Sequence, residues 1–110
     1  MNESDCVLVM TTLPADADAP AFAHTLVGTR LAACVNVLPG MESIYRWEGA
    51  VEQEQERQLV IKTTQGRVAA LWERVRELHP YAVPEFIVLP IVDGNDAYLR
   101  WVGESTRISE

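Results

Sequence analysis

Residues 34–63 read CVNVLPGMESIYRWEGAVEQEQERQLVIKT, and this stretch decides the fold. From Cys34 to Trp47 the strand formers Val35, Val37, Leu38, Ile44, Tyr45 and Trp47 recur, with Pro39 and Gly40 the only Pro or Gly, and after Glu48 and Gly49 an extended pattern resumes over 51–63. Two such runs around a short polar turn containing Gly are the signature of a β-hairpin. Each arm has about fourteen residues, and at about 3.4 Å per residue a straight arm would reach about 45 to 50 Å. A compact domain of this size has a radius of gyration of only about 13 Å. The ribbon must therefore project or bend, with Pro39 and Gly40 the expected bend. Its far end still carries Ile44, Tyr45, Trp47 and Val51. A bare two-stranded ribbon is marginal in water, so these side chains need a cover, and a second copy of the chain is the simplest one.

Before the hairpin, the unbroken apolar run of Cys6, Val7, Leu8, Val9 and Met10 predicts a central strand over 5–12. Asp16 and Asp18 offer helix caps, Pro20 suits a first turn, and Phe22, Ala23, Leu26, Val27 and Ala33 fall near helical spacing. They predict a helix over 17–31. After the hairpin, Thr64 is a candidate cap for a helix over 66–78, whose apolar positions Val68, Leu71, Trp72, Val75 and Leu78 step by three and four until Pro80 stops it. A strand over 85–91 follows, and Asp93, Gly94 and Asn95 then turn the chain into a short amphipathic helix with Tyr98, Trp101 and Val102. The order is that of an α+β fold, a ferredoxin-like split βαβ sandwich with a long hairpin and a C-terminal helix. In that topology the first two long strands are separated by the third, which places Cys6 and Cys34 about 10 Å apart, beyond the reach of a disulfide.

The 110 residues are 48% apolar and 23% charged, enough for one core and one domain over 1–110, with its folded part at about 5–104 and a frayed tail. No apolar run approaches the about 18 to 20 residues that a bilayer requires, and the acidic start Met1, Asn2, Glu3, Ser4, Asp5 does not read as a secretory signal. A cytoplasmic location is the expectation. Sixteen acidic against nine basic residues give a net charge of −7, and the basic residues are scattered, which disfavours nucleic acid as a partner.

Nucleotide-binding, zinc-protease, serine-hydrolase and dithiol motifs are all absent from the sequence. Two segments could carry chemistry. Glu52, Glu54 and Glu56 share one face of the hairpin by the period-two rule; they read either as a charged row that discourages stray pairing or as carboxylates for a cation. The segment His79, Pro80, Tyr81, Ala82, Val83, Pro84, Glu85 gathers an imidazole, a phenol and a carboxylate on a proline-stiffened connection. There His79 is a candidate metal ligand or acid/base group, or else a partner for helix-end carbonyls. His24 reads as surface, Trp72 and Trp101 as packing, and Trp47 at the ribbon tip as an interface anchor.

Taken together, Leu31-Ala32-Ala33-Cys34-Val35-Asn36, Tyr45 with Trp47-Glu48-Gly49 and Val51, Glu56 with Val60-Ile61-Lys62-Thr63, and His79-Pro80-Tyr81 with Pro84-Glu85 closely resemble the CutA divalent-cation tolerance family over about residues 6–104. The resemblance implies a homotrimer with an architecture like that of the PII signalling proteins, a role in copper tolerance and binding, and no enzymatic reaction. It also implies that Tyr45, Trp47, Glu56, Lys62, His79, Tyr81 and Glu85 line or border clefts between subunits, with Cu(II) or another divalent cation as the ligand and His79 as its donor. In copper-associated bacterial members a Cys follows the first strand and two adjacent His precede the Pro-Tyr pair; here those places hold Thr11 and then Leu78 with His79. The alternative reading is a small enzyme using His79 with Glu85 or Glu56 as an acid/base pair.

Overall fold

The computed structural model describes residues 5–108. The end of the expected frayed tail, and most of the acidic start, lie outside that range. In chain order the elements are β1 (Cys6–Pro14), α1 (Ala19–Gly28), β2 (Cys34–Trp47), β3 (Ala50–Thr64), α2 (Val68–Leu78), β4 (Ile87–Pro90) and α3 (Asp96–Ser105). The strands form one antiparallel sheet in the order β2-β3-β1-β4. Cys6 and Cys34 therefore sit on strands separated by β3, the arrangement expected from the element order. The long hairpin stretches the molecule to 45 × 26 × 23 Å, with a register shift between Val37 and Gly40 where Pro39 interrupts the ladder.

Alternation along the strands sorts the core. Val7, Val9 and Leu13 of β1 and Leu59 and Ile61 of β3 project to the face covered by α1 and α2, where they meet Phe22, Leu26, Leu71 and Val75. Leu8 and Met10 project to the opposite face, beside Ile87 and Leu89 of β4 and Val60 of β3. α3 covers only the Cys6 end of that face, through Leu99 and Val102 with Ala33, and the segment after α2 covers its Thr12 end, where Tyr81 and Glu85 bond Glu56 and Gln58. Pro90 is compatible with β4 because β4 is an edge strand paired only with β1.

Several boundaries differ from the sequence expectation, each for a visible reason. β1 runs on to Pro14 because Leu13 and Pro14 still pair with Arg57 and Glu56. α1 stops at Gly28 rather than at residue 31. The Leu31 and Arg30 amides donate back to the carbonyls of Leu26 and Val27, and Arg30 takes the left-handed conformation at φ 63°, a Schellman ending that buries Leu31 against Leu26. Thr64 does not cap α2. Its hydroxyl pairs with that of Thr106 at 3.2 Å, and a single 3-10 turn over Gln65–Arg67 leads into the helix instead. Asp18 does cap α1, accepting from the Ala21 amide at 3.0 Å. β4 starts later than residue 85, where Phe86 packs on Trp72 and the Glu85 carboxylate is engaged by Gln58, and past its end at Pro90 the Ile91 amide still donates to the Cys6 carbonyl at 3.1 Å.

Candidate functional site

The connection from α2 to β4 folds back against the base of the hairpin, and the space between them is a cavity of about 720 Å³. Its floor follows from pairing. Met41 opposes Glu56, Ser43 opposes Glu54, Tyr45 opposes Glu52, and Thr12 opposes Gln58, so these side chains share one face of the sheet. Its wall is the segment containing Pro80, Tyr81, Ala82, Val83 and Glu85. Of the expected cleft residues, Tyr45, Trp47, Glu56, Tyr81 and Glu85 all line this cavity. Lys62 does not. It lies six residues along β3 from Glu56, bonded to the Asn36 side chain and 4.0 Å from the Cys34 thiol.

Two hydrogen bonds tie wall to floor. The Tyr81 phenol donates to Glu56 Oε2 at 2.8 Å, and the Gln58 amide donates to Glu85 Oε2 at 2.9 Å and to the Thr11 carbonyl at 2.8 Å. Glu56 is only 7% exposed, whereas Glu52 and Glu54 lie open to solvent. Burial, then the hydrogen bond and charge of Glu56, pushes the Tyr81 phenol well above its ordinary value. The Tyr45 phenol is raised too, first by desolvation and then by Glu54, Glu52 and Glu56. The charge of the acidic row is thus felt on both sides of the cavity.

His79 is buried behind this wall rather than open to it. The Tyr81 amide donates to its Nδ1 at 3.1 Å, which leaves Nε2 to donate to the Thr12 carbonyl at 2.6 Å. That carbonyl lies beyond the last β1–β4 pair, at Met10, so the imidazole substitutes for a missing strand partner. Both nitrogens are used by main chain, and the ring is not directed at Glu56 or Glu85 as an acid/base pair would need. The donor set also does not fit a metal ion. The Thr11 hydroxyl is buried with no hydrogen-bond partner, on the helix-covered face with Val9 and Leu13, and Leu78 offers no donor. Among the described residues no group of three or more His, Cys, Asp or Glu side chains is placed to hold a metal. Within this chain His79 thus ties main-chain groups together, joining the Thr12 carbonyl to the Tyr81 amide.

Gln58 and Thr12 were not singled out from the sequence. A signal for Gln58 was present, because it continues the alternating series of Glu52, Glu54 and Glu56 by one more step. Trp72 packs on Phe86 with ring centroids 4.9 Å apart, Trp101 pairs with Tyr98 at 5.4 Å on the exposed side of α3, and His24 is exposed. Among the described residues no helix is long and apolar enough to cross a membrane.

Fold and cleft define a small α+β protein with an acidic, aromatic-walled cavity between a long hairpin and a proline-stiffened connection. Residues 7–105 match the family described as CutA1 divalent ion tolerance protein, and the chain belongs to that family. The divalent-cation tolerance protein CutA of Thermus thermophilus is 50% identical over 99 residues, which cover 90% of this chain and 96% of the relative. The crystal structure of CutA from Xylella fastidiosa superposes with a TM-score of 0.90 at 42% identity, covering 94% of this chain and all of that one. A CutA from Archaeoglobus fulgidus, described as periplasmic, superposes with a TM-score of 0.88 at 29% identity, covering 93% and 99% of the two chains.

Proposed function

We propose that this CutA-family protein acts in tolerance of divalent metal ions, copper among them, as a non-enzymatic homotrimer that binds a small ligand in the cleft. The observation that carries the proposal is the convergence of Tyr45, Trp47, Glu56, Tyr81 and Glu85, from three separate parts of the chain, on one cavity. The fold reads as ferredoxin-like and the trimer as PII-like. Support for assembly comes from apolar surface without a cover: Ile87 and Leu89 on the open sheet face, and Ile44 and Val51 near the ribbon tip at 68% and 67% exposed. A cytoplasmic setting, in which the Cys6 and Cys34 thiols stay reduced, completes the proposal.

The test is growth of a bacterial strain lacking its own CutA gene on graded copper, complemented with the wild-type chain or with the double variant Glu56→Gln, Tyr81→Phe. The expected result is tolerance restored by the wild type and lost in a variant that remains folded and abundant. Equal rescue by both proteins would overturn the role of the cleft.

A further inference from the structure

The charge of the cleft is unbalanced. Its lining contains Glu56 and Glu85 and no Lys or Arg. The two arginines of the ribbon, Arg46 and Arg57, oppose Val51 and Gly40 and so project from the other face, where Arg57 donates to the Leu38 carbonyl at 2.9 Å. Among the described residues the ion pairs are Arg74 with Glu77 and Arg76 with Glu73, both on α2, so no cation lies within ion-pair distance of Glu56. Glu56 is a buried residue whose side-chain partner is the uncharged Tyr81 phenol, so a bound cation would supply the countercharge that the lining lacks.

The rest of the lining selects the kind of cation. A hard divalent ion takes about six to eight oxygen ligands, and a soft one takes thiolate or imidazole. The cleft offers two carboxylates, each already accepting one hydrogen bond, and its Met41 thioether is no substitute for a thiolate. Its volume of about 720 Å³ is that of a small-molecule site and far exceeds a bare ion. Three aromatic side chains line the same cavity: Tyr81 touches Glu56 itself, while Tyr45 and Trp47 lie further along the ribbon, opposite Glu52 and Ala50. Aromatic faces attract cations, and best of all weakly hydrated organic ones.

We propose that the cleft is a binding site for a small organic ammonium ion, with Glu56 and Glu85 supplying the countercharge and Tyr45, Trp47 and Tyr81 the walls. This rests on the reading of the cavity as a ligand cleft and names the ligand's class. Metal ions then reach the protein's function without coordination at this site.

The test is calorimetric titration of the full chain, at neutral pH and low salt, with tetramethylammonium, choline and butane-1,4-diamine. The neutral isostere of choline, 3,3-dimethylbutan-1-ol, and Cu(II) serve as contrasting probes. Saturable binding of at least one ammonium probe is expected, with affinity about tenfold above the neutral isostere and about tenfold weaker in Glu56→Gln. A second variant, Tyr45→Leu at a half-exposed position of the cleft, weakens the ammonium probe without threatening the core. Failure of all three probes, or equal binding of choline and its isostere, overturns the inference. Light scattering on the same samples separates a free ligand from a basic side chain of a second copy. If Glu56→Gln reduces the assembled mass, the cation belongs to that copy and the small-molecule assignment falls. Cu(II) binding that Glu56→Gln abolishes and choline does not compete with overturns the ammonium assignment while leaving the cleft reading intact. Loss of the cleft reading itself appears separately, as unchanged copper tolerance in the cleft variant.

Discussion

Glu52, Glu54 and Glu56 have the same side chain, the same strand and the same face, yet only Glu56 is buried. The difference comes from outside the strand: the segment after α2 folds back so that Tyr81 meets Glu56 and not its neighbours. Spacing could reveal the row but not which member of it is enclosed, because enclosure is set by a contact 25 residues away in sequence. His79 was illegible for a related reason. Its two partners are main-chain groups, the Thr12 carbonyl and the Tyr81 amide, and neither carries a side-chain signature. The Tyr81–Glu56 pair makes a pH prediction. The folded phenol is raised above its value in the unfolded chain, so the folded state keeps a proton that the unfolded state releases. The stability this represents is complete below about pH 10 and drains away as pH rises toward the folded value. In urea melts from pH 8 to 11, the wild type should lose stability steeply above pH 10, and Tyr81→Phe should lose less. Parallel curves for the two proteins would remove the pair as the source of the alkaline slope.

Element existence was legible where hydrophobic pattern dominates, as in the apolar run of β1 and the three-and-four spacing of α2. Element ends were not. α1 ends in a Schellman turn at Arg30, a position at which glycine is the usual marker, and Thr64 looks like a cap but bonds to Thr106 across the fold. The hairpin turn was the exception, because Glu48 and Gly49 both take positive φ, 49° and 83°, as a two-residue turn matching strand twist requires. Gly49 is suited to that conformation, whereas Glu48 is strained in it. Asparagine tolerates the left-handed region far better than glutamate, so Glu48→Asn should raise stability by about 0.5 to 1 kcal/mol. Denaturant unfolding checks this, with a higher midpoint at unchanged m-value as the expected outcome. A lower midpoint would mean that the Glu48 side chain contributes something at the ribbon tip that offsets its backbone strain.

At the scale of the whole molecule, the two faces of the sheet are treated differently. One is sealed by α1 and α2, while the other is covered by α3 only near Cys6, leaving Ile87 and Leu89 at 47% and 41% exposed beside Leu8 and Met10. A half-open apolar sheet face and a projecting ribbon on one protomer are complementary needs, and copies arranged around a closed axis can meet both at once. The homotrimer proposal therefore places Leu89 in contact with a second copy. In an isolated protomer, a change at so exposed a position costs little, within about 0.5 kcal/mol either way. At a subunit contact the same change would bury an unpaired carboxylate, which costs several times more. Leu89→Glu should thus leave far-ultraviolet circular dichroism unchanged while moving the mass in sedimentation velocity from three chains to one. A single-chain mass for the wild type would refute assembly altogether. A three-chain mass for both proteins would show that the copies meet through the ribbon and not through this face, because a buried glutamate facing apolar side chains could not be hidden at such a contact without weakening it.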